Sequence, residues 1–394
     1  MKKMMLLLAL WMSGVLLLSG GSVLAAENGV CGENLTWSLE DGVLTIQGTG
    51  PMERLASWTG QPWRDSRGSI TAAVIGDGVT EVSDYAFFYC RELKSLDLPD
   101  SLTKIGQSAF AGCENLTELT IPDSITGIGP RAFAYCGGLT GITLPDSLTE
   151  VPDWAFFRCA ALTGAELPAG VTRVGDHAFS GCAGLTKLGL PEGLTEIGNW
   201  AFAESSLTEA VFPAGLRRIG DRAFDSCGQI GAVRFGGAMA QWEQVFLGAE
   251  NTALTRVNQQ CADGVIEGVL DSGTCGENLT WYLNTAGVLR IQGTGPMDDW
   301  NNSIGPPWYE NRTIIESVII DNGVTSIGEW TFYKCDSLTE IVIPDSVTSI
   351  GDWAFYDCHN LTDVYYGGTA EAWEKIQFGE YNDALMSANV HFNS

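Results

Sequence analysis

Basic residues, histidine and long apolar runs are what this 394-residue chain has least of. Lys and Arg number 21 against 48 Asp and Glu, a formal net charge of −27, and two of the basic residues are Lys2 and Lys3 at the very start. Proteins that grip nucleic acid draw affinity from clustered Lys and Arg displacing counterions from phosphate, so this balance excludes that partner and disfavours anionic lipid surfaces. Histidine occurs three times, as His177, His359 and His391, and none has a Ser or Cys nucleophile and an acid spaced for a triad. No catalytic residue is assigned on that ground. Beyond the opening residues no run of about 18 apolar residues is present, which excludes insertion of a helix across a bilayer.

The opening itself, "MKKMMLLLALWMSGVLLLSGGSVLAAENG", sets two lysines before an apolar run and a small-residue exit at Val23-Leu24-Ala25. This is the pattern of a secretory signal peptide, residues 1–25, and places the mature chain outside the cytoplasm. No cysteine follows the "LLLSGG" stretch, so no lipid anchor is expected.

What the chain has in quantity is repetition. "LPDSLTKIGQSAFAGCENLTELT", residues 98–120, is followed at once by "IPDSITGIGPRAFAYCGGLTGIT", residues 121–143. Seven units begin at Ile75, Leu98, Ile121, Leu144, Leu167, Leu190 and Phe212, the sixth one residue short, and two more begin at Ile320 and Ile343. A short fixed period is the signature of a solenoid, in which one unit cannot bury its apolar face alone and stacking closes it. In the second unit the spacing sends Leu98, Leu102, Ile105, Ala109, Phe110, Cys113, Leu116 and Leu119 inward. Leu116, Leu119 and Ile121 alternate as in a short parallel strand, Pro122-Asp123-Ser124 makes a turn, and Gln107 leads into a helical turn holding Ala109 and Phe110.

Cys90, Cys113, Cys136, Cys159 and Cys182 recur at that period, Ser205 takes the next place and Cys227 resumes. Stacked strands lie about 4.8 Å apart with parallel Cβ vectors, the wrong geometry for disulfides within a column. A line of thiols along the solenoid axis also fails to converge on a metal, and no member has a histidine beside it. The column reads as small buried side chains whose weak S–H donors face backbone carbonyls. Cys31, Cys261 and Cys275 lie outside it, and Cys261 could pair with Cys275 if oxidised.

The run A-F-x-x-C-x-x-L-T-x-I-x-[LI]-P, as in "AFAGCENLTELTIP", resembles the BspA-like class of bacterial leucine-rich repeats. The resemblance implies a curved leucine-rich repeat solenoid on a secreted or surface protein, some of whose relatives are adhesins, with no catalytic residues to carry over. The departures are modest, such as Ser205 for Cys and Arg217 where Thr is usual.

The chain is also duplicated on a larger scale. "CGENLTWSLEDGVLTIQGTGPM" from Cys31 returns as "CGENLTWYLNTAGVLRIQGTGPM" from Cys275, "PWRDSRGSI" is echoed by "PWYENRTII", and "FGGAMAQWEQVFLGAENTAL" from Phe235 by "YGGTAEAWEKIQFGEYNDAL" from Tyr366. The expected fold class is therefore a leucine-rich repeat solenoid of short parallel strands plus helical turns, mainly β with some α, in two capped arrays of unequal length. After the signal peptide come a β-hairpin cap (26–74), seven repeats (75–234), a C-terminal cap with a short amphipathic helix (235–258) and a linker (259–274). A second N-terminal cap (275–319), two repeats (320–365) and a second C-terminal cap (366–394) complete the chain.

One variable column stands out, just before each Ala-Phe pair. In the larger array it includes Arg131, Trp154, His177, Trp200 and Arg222, which are the candidate ligand-binding residues, since aromatic and guanidinium groups anchor partners or stack on sugars. The competing reading is that the rings half-cover their neighbours along the stack. Before it runs a column with Asp84, Asp153, Asp176, Asn199 and Asp221, read as N-caps of the helical turns rather than a calcium site. No cofactor or metal is expected. The expected function is a secreted or cell-surface-associated, non-enzymatic protein that binds an extracellular protein of a host or neighbouring cell. A glycan held by the aromatic column is the alternative, and a secreted hydrolase, supported only by scattered paired carboxylates, the last.

Overall fold

The structure, a computed structural model, describes residues 27–301 and 303–393; the signal-peptide residues lie outside that range. It is a β-solenoid whose every turn presents three sides. One side is the strand of the L-T-x-I segment, seen as Ser95–Asp97, Glu118–Thr120, Gly141–Thr143, Gly164–Glu166 and Lys187–Gly189. These pair in parallel with their equivalents, Glu118 opposite Gly141 and Gly164 opposite Lys187. A second side carries two-residue strands, such as Glu150–Val151, Arg173–Val174 and Glu196–Ile197, again in register.

The third side differs from the helical turn expected there. Residues 106–113 form consecutive tight turns, with Ala109 N–H bonded to Gly106 O, Ala111 to Ser108 and Cys113 to Phe110. The alternate N–H groups leave the turn altogether. Ser108 donates to Pro130, Phe110 to Ala132 and Gly112 to Ala134, so this side is hydrogen-bonded between turns much as a sheet is. The alternation requires left-handed backbone at two positions per turn, and residues that are not glycine occupy most of them. An α-helix would spend all these N–H groups internally and leave neighbouring turns joined only by side chains.

Close approach of turns explains the glycine of the I-G dipeptide. A Cβ on Gly175 would stand 2.4 Å from Asp153 Oδ1 and 2.6 Å from its backbone nitrogen, whereas one on Gly141 would meet nothing within 4 Å. The Asp/Asn column does not cap its own turn. Asp153 accepts from the N–H of Asp176, Asp176 from Asn199, Asn199 from Asp221 and Asp221 from Ala249, each clamping the following turn. Pro130 has no N–H to offer, and Gln107 before it bonds instead to the Tyr85 hydroxyl.

Inside, the phenylalanines form a continuous stack. Ring centroids from Phe87 through Phe110, Phe133, Phe156 and Phe179 to Phe202 are separated by 5.0, 5.5, 5.7, 5.2 and 5.5 Å. Trp63, from the N-terminal segment, is its first rung, 5.4 Å from Phe87, and donates its indole N–H to Ala86 O. Of the inward residues expected in the second unit, all are buried except Leu98, which is half-buried against the core. The thiol column behaves as read: Cys113, Cys136, Cys159, Cys182 and Cys227 direct Sγ at the carbonyls of Phe87, Phe110, Phe133, Phe156 and Phe202, at 3.2 to 3.4 Å.

Residues 27–48 are three antiparallel strands whose last, Val43–Gly48, pairs in parallel with Ala72–Ile75 and so joins the solenoid. At the far end Asn251 stands in for a missing turn, accepting from Phe224 N–H and donating to the carbonyls of Gly220 and Gly248. Asn382 does the same for Phe355, Gly351 and Gly379. The helices expected in these segments are single turns, Met239–Trp242 and Ala370–Trp373. Buried side chains fall into two clusters, one from Cys31 to Cys261 and one from Cys275 to Leu385. Between them residues 259–274, read as a linker, are mostly strand. Gln259–Cys261 and Gly264–Ile266 form a hairpin that continues the sheet of Ala232–Phe235, and Val269–Gly276 opens another. Cys31, Cys261 and Cys275 are buried free thiols.

Candidate interaction surface

The column of Arg131, Trp154, His177, Trp200 and Arg222 lies on the third side, and every member is in the left-handed region, with φ from 54° to 63°. Ser108, Trp330 and Trp353 share that conformation at the equivalent position. A non-glycine residue held there costs about 1–2 kcal/mol, offset by the N–H bond each sends to the next turn. The repeated backbone gives each side chain the same heading, so the column closes into one stack. The Arg131 guanidinium lies 4.9 Å over Trp154, Trp154 stacks on His177 at 3.9 Å, His177 on Trp200 at 5.8 Å, and Arg222 lies 4.9 Å over Trp200.

Both faces of each indole are thus covered, by a cation on one side and the imidazole on the other. What faces water is a row of ring edges and two guanidinium groups; the three rings are half-buried and the arginines exposed. Cation–π contacts of this kind stabilise by about 0.5–2 kcal/mol and hold the arginines rigid. A sugar stacking on an indole needs an open face, and Trp154 and Trp200 present none. Burial pushes the His177 pKa below its ordinary value, with Asp176 opposing and the Arg131 charge assisting, and its Nδ1 is buried without a hydrogen-bond partner. The imidazole is therefore neutral at physiological pH and acts as a flat spacer.

The second array holds a parallel row that the candidate list omitted. Trp330 stacks on Trp353 at 5.1 Å and Trp353 on Tyr381 at 4.0 Å, while Tyr333 and Tyr356, three residues on in each turn, stack at 5.6 Å beside them. The strings "WTFYKC" and "WAFYDC" carry the signal for the tyrosines. Tyr381 comes from the C-terminal segment, outside the repeat, and no periodicity points to it.

The other sides offer less. The strand stripe of Ser95, Glu118, Gly141, Gly164 and Lys187 is low and mixed. On the second side charges alternate along the axis: Arg173 contacts Glu150, Asp153 and Glu196, and Glu196 also contacts Arg218. His359 and His391 are exposed and paired with Asp357 and Asp363. Among the described residues no group of three or more His, Cys, Asp or Glu is placed to hold a metal ion. Burial pushes the thiols of Cys90, Cys136, Cys182 and Cys358 up to about 12, so they are protonated and unreactive at neutral pH.

A family model described as "BspA type Leucine rich repeat region (6 copies)" matches residues 65–182, 155–259 and 302–390. No curated protein matches the chain. Similar solved structures include a leucine-rich repeat protein from Bacteroides ovatus ATCC 8483, 18% identical, covering 92% of this chain and 99% of that chain with a TM-score of 0.44. A leucine rich cell surface protein from Faecalibacterium prausnitzii A2-165 is 23% identical, covering 90% of this chain and 98% of that chain with a TM-score of 0.39. A leucine-rich repeat protein of T. pallidum is 26% identical, covering 47% of this chain and 88% of that chain with a TM-score of 0.36.

Proposed function

The chain belongs to the BspA-type leucine-rich repeat family, and from that premise we propose that it is an extracellular, non-enzymatic binding protein. Its protein partner docks along the row Arg131, Trp154, His177, Trp200 and Arg222. The observation that carries this reading is the closed stack itself: five side chains from five turns form one rigid ridge with exposed guanidinium ends. Trp and Arg dominate binding hot spots, and anchors already fixed in the free protein lose little side-chain entropy on association. The signal-peptide sequence supports export. Among the described residues no helix is long and apolar enough to cross a membrane. The net charge of −27 steers basic partners towards the protein and repels acidic ones.

The test is binding of the full chain to a panel of extracellular matrix proteins and neighbouring-cell extracts by biolayer interferometry, with melting followed in parallel. Arg131→Ala with Arg222→Ala removes the exposed ends and should weaken binding by about 2 kcal/mol, the scale of a hot spot, with melting lowered only by the loss of the two cation–π contacts. Trp154→Ala with Trp200→Ala should abolish binding and also lower the melting temperature by several degrees, because half-buried stacked rings are lost. Unchanged binding in the arginine pair, with loss on Lys187→Glu instead, places the partner on the strand side.

A further inference from the structure

The second aromatic row begins differently from the first. Among the described residues no arginine precedes Trp330 in its stack; one side of the indole packs on Trp353. The turn before it is the N-terminal segment of that array, and residues from there close with Trp330 and Tyr333 around a cleft of about 280 Å³. Tyr309, Pro307, Asn301 and Glu310 complete the part of its wall that matters here. The volume sits near the lower end of small-ligand sites, roughly 300–1,000 Å³, which suits one ring-sized group.

Charges of both signs stand at or beside it, so it has no one-signed field to draw in an ion. The Arg312 guanidinium lies 4.0 Å over the Tyr309 ring and the Lys334 ammonium 5.1 Å over Tyr333, so each tyrosine already has a cation of this chain against it. An anion meets Glu310, whose exposed carboxylate has no partner among the described residues, and the net charge of −27 beyond it. Asn301 uses Oδ1 to accept from the N–H groups of Ser303 and Ile304, at 2.9 and 3.0 Å, which leaves its two amide N–H groups as donors. An aromatic wall, an amide donor and a carboxylate acceptor around a small space are together complementary to a neutral ring that carries hydroxyls. A neutral pyranose has a C–H face to lay on an indole and a rim of hydroxyls that both donate and accept.

We propose that this cleft binds one residue of a neutral pyranose glycan, with Trp330 as platform and Asn301 and Glu310 reading its hydroxyls. The site is separate from the protein-binding row and does not depend on it. In the first array Tyr85 and Phe88 stand where Trp330 and Tyr333 do, Trp58 packs 6.4 Å from Phe88, and Arg64 stands where Tyr309 does, so this stretch serves as an internal control.

The full chain is titrated with neutral tetrasaccharides of glucose, galactose, mannose and N-acetylglucosamine, with 3′-sialyllactose as the anionic arm and tetramethylammonium as the cationic arm. Tryptophan fluorescence and isothermal calorimetry report binding. The expected result is saturable binding of at least one neutral tetrasaccharide, weakened about tenfold or more by Asn301→Asp, which keeps the turn-forming oxygen but removes the donors, and likewise by Glu310→Ala. Arg64→Ala should leave it unchanged. Trp330→Ala should abolish it, and because that change also uncovers Trp353, the two exposed-residue variants decide. Absence of neutral-sugar binding, binding that survives both Asn301→Asp and Glu310→Ala, or binding confined to the sialylated or cationic probe overturns the proposal.

Discussion

Cys113, buried, and His177, half-buried, respond differently to substitution and to pH. The thiol's role follows from the sequence because Ser205 already occupies the same place, and a hydroxyl there keeps size and donor while discarding thiol chemistry. Cys113→Ser should therefore fold and bind as the parent does, with stability changed by less than about 1 kcal/mol in urea melts. Titration of the native protein with a thiol reagent should report the column reduced and reactive only after unfolding. His177 could be listed as a candidate but not understood, since its state depends on rings supplied 23 residues to either side. Its folded pKa lies below the ordinary histidine value of 6.5. The unfolded chain therefore takes up the proton first, and the stability His177 contributes is complete above pH 6.5 and is lost as pH falls through the lower folded value. Between pH 7 and 5 the parent should lose melting temperature that His177→Phe retains.

At the scale of the element, the inward positions of the repeat were readable from spacing, and so were the strand and the turn after it. The third side was not. Its left-handed positions carry glycine at Gly112 and Gly181 but elsewhere Trp, Tyr, Arg, His, Ser, Glu, Lys or Asp, which do not announce that backbone, and its hydrogen bonds run between turns, where local pattern has no reach. The Asp/Asn column shows the same limit: the residue type was legible, but the acceptor serves the following turn. Where no turn follows, one side chain must do that work. Asn251→Ala would leave Phe224 N–H and the Gly248 carbonyl unpaired in a buried setting and take one of its two donors from Gly220 O. At about 1–3 kcal/mol for each buried group stranded, the loss should be about 3 kcal/mol or more, read as a lowered denaturation midpoint with the slope unchanged. Asn251→Asp keeps the acceptor alone and should fall between the two.

Taken whole, the molecule has two separate buried clusters of very different length, from Cys31 to Cys261 and from Cys275 to Leu385. Stability in stacked repeats grows with the number of neighbours, so heating should give two transitions, the shorter array melting first. Trp308 is the first rung of the second phenylalanine stack, 6.0 Å from Phe332, and donates its indole N–H to Thr331 O. Trp308→Ala, at about 3–5 kcal/mol, should lower the first transition in a calorimetric scan or remove it, and leave the second in place.

The junction between the clusters has a mechanical consequence when the two are pulled apart. The chain leaves the first array through Gly264–Ile266, whose three residues pair with Gln259–Cys261, and enters the second through Val269–Gly276. Tension between the arrays loads the short outer strand at its Ile266 end. Its bonds then open one after another, like a zip, rather than all resisting at once. Once the exposed Thr285 contacts with Asn258 and Glu267 give way, this segment would lengthen under modest force while the stacked rings stay intact, a yielding link that spares the two cores from a sudden pull.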